Sequence, residues 1–308
     1  MVTTVNRATY SRSEGRERIL FAVQPTALYA ASASAEGAAT ANQPRRLIVT
    51  VYGLYARETE NWLSVSSVVR LLRQLGVDEP AVRSSISRLK RRGTLVSENR
   101  DGVAGYALSE SALRTIREGD RRIFHMTRAT SDDGWLLAVF SIPETERDKR
   151  HEMRMILTRM GFGTTAPGVW IAPAHVHDEV ADALRDSDLA QFVDLFHAEH
   201  LAFGDLRTKV SQWWDLDGLQ ELYSQFIAQF APLREHLRRR RKLEAHDAFV
   251  AYVQMLTTWR RLPYLDPGLP LELLPKGWDG ARAGELFEWL RQRLVEPAHA
   301  YARGVIEA

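Results

Sequence analysis

The chain has 308 residues, 45% apolar and 26% charged, with 41 Lys and Arg against 39 Asp and Glu. That length suits two or three domains, and the composition excludes an intrinsically disordered protein. With no cysteine, disulfides, thiolate-bound zinc, iron–sulfur clusters and a Cys nucleophile are excluded, which fits a reducing cytoplasm.

Residues 1–43 are rich in Thr, Ser, Ala and Gly, and 30–41 are almost wholly small. The apolar run 19–23 is broken by Gln24 and Pro25 and preceded by Glu14 and Glu17, so a signal peptide is disfavoured. The stretch reads as a disordered extension or a misassigned start. No uncharged apolar run approaches the roughly 20 residues that a bilayer span needs, so the sequence predicts a soluble, cytoplasmic protein with no membrane partner.

Residues 44–125 read as a winged-helix domain with a linker helix. Leu47, Ile48, Val51, Tyr52 and Tyr55 recur at helical spacing after Pro44, a residue suited to the first turn of a helix. Ser64 or Ser66 can cap a second helix carrying Val68, Val69, Leu72 and Leu75, and Gly76 ends it. Asp78 caps a third, with Pro80 in its first turn and Gly93 beyond its end.

On a helical wheel for that third helix, Val82, Ile86 and Leu89 form one stripe. Ser84, Ser87, Arg88 and Arg91 fall opposite, flanked by Arg83, Lys90 and Arg92. Short polar residues followed by Arg suit major-groove reading, because Arg forks onto guanine and Ser bonds base or phosphate without bulk. A solvated helix face is the bland alternative. Next comes an alternating hairpin, 94–98 and 103–108, joined at Asn99-Arg100-Asp101-Gly102. Helix, helix, helix, hairpin is the winged-helix order, and Arg100 sits where a wing touches phosphate or the minor groove. A helix over 109–125 follows, capped by Ser109.

Residues 126–205 read as a ferredoxin-like α/β unit: strand 135–142, a helix to Met160, a weak strand near Thr164, strand 168–173, helix 175–185 and strand 192–203. Some metal-dependent nucleases use this fold with Asp at the end of the first strand. Ser141 stands there instead, a poor ligand for a hard cation. His175 and His177 diverge at a helix start, and His197 and His200 lie on opposite strand faces. No phosphate loop, nucleophile elbow or HExxH is present. The sequence therefore nominates no catalytic residue, no metal ligand and no cofactor.

Residues 206–308 are helical. Trp213, Trp214, Leu216, Leu219, Leu222, Tyr223, Phe226, Ile227 and Phe230 form a broad apolar face ending at Pro232, and the cations 238–242 fall inside the next helix. A helix over 247–261 leads to the Pro-rich elbow 262–270 and a last helix. Trp259, Arg260, Arg261 and Trp278 could line a pocket for an anion with an apolar end, and the two Trp could equally fill a helical core.

Taken in order, these stretches resemble the PaaX family of bacterial transcriptional repressors, known for phenylacetic acid catabolism. Four stretches carry the likeness: Val82-Arg83 through Arg88-Leu89 to Gly93, with Gly105-Tyr106 and Leu108; Gly168-Val169-Trp170-Ile171-Ala172-Pro173; Trp214-Asp215-Leu216 with Leu219, Tyr223, Phe226 and Phe230; and Trp259-Arg260-Arg261, Asp266-Pro267, Leu269-Pro270, Leu273-Leu274-Pro275, Trp278 and Gly280. The resemblance implies an α+β multidomain chain with a winged helix-turn-helix, a ferredoxin-like middle similar to CRISPR-associated nucleases, and a helical C-terminal domain. It also implies a homodimer on an inverted-repeat, double-stranded DNA operator, released by a CoA thioester such as phenylacetyl-CoA or another acyl-CoA. Thr94 stands where the family often has an aromatic residue, and residues 1–43 are additional to it.

Overall fold

The computed structural model describes residues 33–308 except 202, 240 and 241, with side chains from residue 43 onward. The expected tail falls largely outside the described residues. α1 (Ala33–Tyr55) contains Pro44 rather than starting at it, and from there Leu47, Ile48, Val51, Tyr52 and Tyr55 are buried as the spacing predicts.

Next come β1 (Trp62–Ser64), α2 (Val65–Gln74), α3 (Glu79–Arg91), β2 (Leu95–Arg100), β3 (Val103–Leu108) and α4 (Glu110–Phe124). Ser64 caps α2 by accepting from the Ser67 amide at 3.0 Å, and Asp78 caps α3 by accepting from the Ala81 amide at 2.7 Å. The strands pair antiparallel in the order β1-β3-β2. β1, which the sequence reading passed over, is three residues long, too short to display a period. The β2–β3 turn is the two-residue Asp101-Gly102, with φ of 51° and 82°, the twist-matched turn for a tight hairpin.

The middle of the chain forms β4 (Trp135–Phe140), α5 (Arg147–Arg159), β5 (Gly163–Ala166), β6 (Val169–Pro173), α6 (His177–Asp186) and β7 (Val193–Ala198). Its sheet runs β5-β6-β4-β7 with every neighbouring pair antiparallel, the ferredoxin-like arrangement of β-α-β-β-α-β. Leu136, Ala138 and Phe140 bury one face of β4 with Met153, Leu157, Val180 and Leu184 of the two helices. β7 stops at Ala198, short of Phe203, where the backbone turns left-handed at φ 69°.

The remainder is α7 (Leu206–Trp213), α8 (Leu216–Arg239), α9 (Ala245–Trp259), α10 (Leu262–Leu265) and α11 (Asp279–Glu307). α8 runs through Pro232 instead of ending there, so Arg238 and Arg239 close α8 rather than lying inside a following helix. An interior proline costs a helix about 3 kcal/mol. Here Leu233 and Leu237, beyond it, remain buried and offset that loss. Helices of the first and last thirds share one apolar core, running from Tyr52, Leu72 and Val82 to Phe226, Phe249, Trp259 and Leu290. Among the described residues, no helix is long and apolar enough to cross a membrane.

Candidate nucleic-acid interface

α3 presents two unlike faces. Val82, Ser85, Ile86 and Leu89 are buried, whereas Arg83, Ser84, Ser87, Arg88, Lys90, Arg91 and Arg92 are exposed. Two of the cations have local company: Arg83 pairs with Glu79 one turn back at 2.7 Å, and Lys90 lies 5.5 Å over the Tyr106 ring. No described acidic side chain lies in ion-pair reach of Arg88, Arg91 or Arg92, so a net positive strip faces solvent. Sequence reasoning missed one contributor. Arg45 of α1 has its pKa lowered by partial burial and then by the charges of Arg92 and Arg88, so it belongs to the same cationic surface.

Arg100, expected to touch DNA from the wing, has partners within the protein. It ends β2, but its guanidinium folds back to Glu98 at 2.6 Å and Glu60 at 3.1 Å, and sits 5.3 Å over the Trp62 ring. Trp62 lies flat across the hairpin, donating to the Glu98 carbonyl at 3.3 Å. A Cβ at residue 105 would come within 2.3 Å of the Trp62 ring; only glycine admits that approach. Trp62 and Glu60 were invisible to the sequence reading, and Gly105 inside a strand was the available signal. The hairpin is thus braced by Arg100.

The four residues proposed to meet an effector are not brought together. Trp259 is core: its ring stacks on Phe287 at 4.5 Å and 10°, and its Nε1 donates to the Ile123 carbonyl at 3.0 Å. Trp278 is buried edge-on to Tyr223, with ring centroids 5.6 Å apart. Arg261 is exposed. Arg260 lines a cavity, about 920 Å³ in volume, whose walls include α1, α4, α9 and α11. Trp259 packs inward because α9 buries a continuous stripe that includes Phe249, Val253 and Leu256.

Three family models match in order along the chain. They are "PaaX-like protein" over residues 43–112, "PaaX protein central Cas2-like domain" over 128–210 and "PaaX-like protein C-terminal domain" over 214–304. The transcriptional repressor PaaX of Escherichia coli (strain K12) is 30% identical over 261 residues, 83% of this chain and 81% of that protein. The chain belongs to the PaaX family. The solved structure of uncharacterized protein Rv0674 from Mycobacterium tuberculosis covers 80% of this chain and 98% of its own at 25% identity, with a TM-score of 0.49.

PaaX relatives are transcriptional repressors, not enzymes. The Cas2-like middle domain is where nuclease chemistry would have to reside. Ser141 follows β4, its amide donating to the Phe192 carbonyl at 3.1 Å. His177 is bonded to Asp178, and His197 to the Asp133 carbonyl. Among the described residues, no group of three or more His, Asp or Glu side chains is disposed to hold a metal ion.

Proposed function

We propose that this chain represses transcription by binding double-stranded DNA through a winged helix-turn-helix made of α1–α3 and β1–β3. The observation that carries the reading is α3 itself: Ser84, Ser87, Arg88 and Arg91 point outward from a buried stripe, beside Arg45 and Arg92. Ser84 and Ser87 precede Arg88 and Arg91 along that face, side chains suited to base edges or phosphates. Arg83 and Lys90 flank that face, and the braced hairpin acts as the wing.

In this reading the protein works in the cytoplasm as a homodimer on an inverted repeat, and a CoA thioester such as phenylacetyl-CoA or another acyl-CoA releases it. The likeness to a PaaX repressor supports the repressor role. Fluorescence anisotropy with the DNA upstream of its gene tests it. Binding should weaken steeply with salt, because each phosphate neutralised releases counterions. Salt-insensitive binding, or none, would reject the reading.

A further inference from the structure

A single helical turn, Ala56–Thr59, carries the chain from α1 to β1. Two residues with left-handed backbone follow it, Glu60 at φ 52° and Asn61 at φ 65°. Residues that bear side chains adopt this conformation at a cost, and it persists where neighbours impose it. The hairpin imposes it from one side. Arg100 donates from Nη2 to the Glu60 carbonyl at 3.3 Å and from Nη1 to the Glu60 carboxylate at 3.1 Å. The Leu108 amide donates to the Asn61 carbonyl at 3.0 Å.

The other side is held from the far end of the chain. His299 of α11 donates from Nδ1 to the Glu58 carboxylate at 2.8 Å, and Arg303, one turn on, lies 3.6 Å from its other oxygen. Arg57 meets Asp120 of α4 at 2.5 Å. Glu58 and Glu60 are two residues apart, so one short turn joins α11 to Arg100. Thr59 between them donates its hydroxyl to the Trp62 carbonyl at 2.6 Å.

The Glu58 side chain is 44% exposed and that of Arg303 61%. Ion pairs so placed add little to stability. What this one fixes is where the turn lies. With both ends tied, the two left-handed residues cannot relax into an ordinary loop, and the placement passes to Arg100.

We propose that Glu58 is a positioning residue for the hairpin: through it, the C-terminal end of α11 sets the hairpin against α3, and with it the affinity for DNA. The DNA half of this rests on the repressor reading; the hairpin half does not. A change at His299 or Arg303 would then reach the DNA-binding face without altering any residue on it.

The test uses the full chain with Glu58→Ala and, as the conservative variant, Glu58→Gln, which keeps an acceptor for His299. Hydrogen exchange follows the backbone amides, and anisotropy follows upstream DNA at several salt concentrations. In Glu58→Ala the amides of β2 and β3 should exchange about tenfold faster, with those of α3 unchanged. Affinity should fall about threefold to tenfold at an unchanged salt slope, since no phosphate contact is lost. Glu58→Gln should restore most of both. Added to Arg100→Ala, Glu58→Ala should lower affinity no further, because residues acting in one chain of contacts are not additive.

Equal acceleration in α3 and the hairpin marks a merely structural role and overturns the proposal. So does unchanged exchange in the hairpin, an additive double variant, or a loosened hairpin that binds DNA as the wild type does. If the wild type binds no upstream DNA, the repressor reading falls, and the exchange comparison alone decides whether Glu58 positions the hairpin.

Discussion

Arg128, on the approach to β4, clamps the buried carboxylate of Asp266 beyond α10, with Nη2 2.7 Å from Oδ2 and Nη1 3.3 Å from Oδ1. The same carboxylate accepts from the Tyr223 hydroxyl of α8 and the Gly268 amide, each at 2.8 Å. One anion, 1% exposed, therefore ties α8, the Pro-rich elbow and the entry to the middle domain together. Removing it strands Arg128. Asp266→Ala should lower stability by about 3–5 kcal/mol, as breaking one side of a buried pair does. Tyr223→Phe should cost about 1 kcal/mol, the net worth of one hydrogen bond. Urea denaturation checks both values.

Arg88 and Arg100 should part company in DNA binding. Arg88 is exposed on α3 with no described acidic partner, while Arg100 is committed to Glu60, Glu98 and Trp62. Arg88→Ala should weaken binding by about 1–3 kcal/mol if it reads a base, or flatten the salt slope by about one unit if it meets phosphate. Arg100→Ala should leave the salt slope unchanged and loosen the hairpin. Anisotropy at several salt concentrations separates the two.

Trp259 should behave as core. Stacked on Phe287 and 5% exposed, it fills space that alanine would leave empty. Trp259→Ala should cost about 3–5 kcal/mol in chemical denaturation. A variant as stable as wild type would place the ring outside the core.

His175 should make the fold acid-sensitive. Burial, only partly offset by the charge of Asp133, lowers its pKa below the ordinary 6.5. The folded state therefore resists a proton that the unfolded chain accepts. Between pH 6.5 and that lowered value the unfolded state binds more protons, so stability falls as pH falls. The loss between pH 7.5 and 5.5, followed by urea midpoint, should be smaller in His175→Gln.

What was legible in the sequence was what repeats locally. Val82, Ile86 and Leu89 lie inward because a 3.6-residue period leaves them no other face, and Asp78 and Ser64 cap their helices as their side chains permit. What escaped depends on distant partners. Arg100 is engaged by Glu60 and Trp62, about forty residues away in the chain, partners that no local pattern announces. The helix through Pro232 survives on contacts made by Leu233 and Leu237, which no propensity anticipates. Trp259 and Arg260 are neighbours with opposite fates, since adjacent helical positions point about 100° apart. One fills the core and the other lines a cavity.

Tyr55 of α1 rests its ring 5.7 Å from that of Phe249 in α9 and 4.9 Å from His299 in α11. Residues separated by most of the chain thus make up the inside of the part proposed to read DNA. A fragment cut after residue 112 would lose Phe249, His299 and the Thr257 partner of Thr50 at one stroke. Such a fragment should be a poor folder, and this regulator should not yield its reading head to dissection. The same interdependence limits how it can have been assembled: the head cannot be exchanged for another without rebuilding the surface of α9 and α11 that receives it.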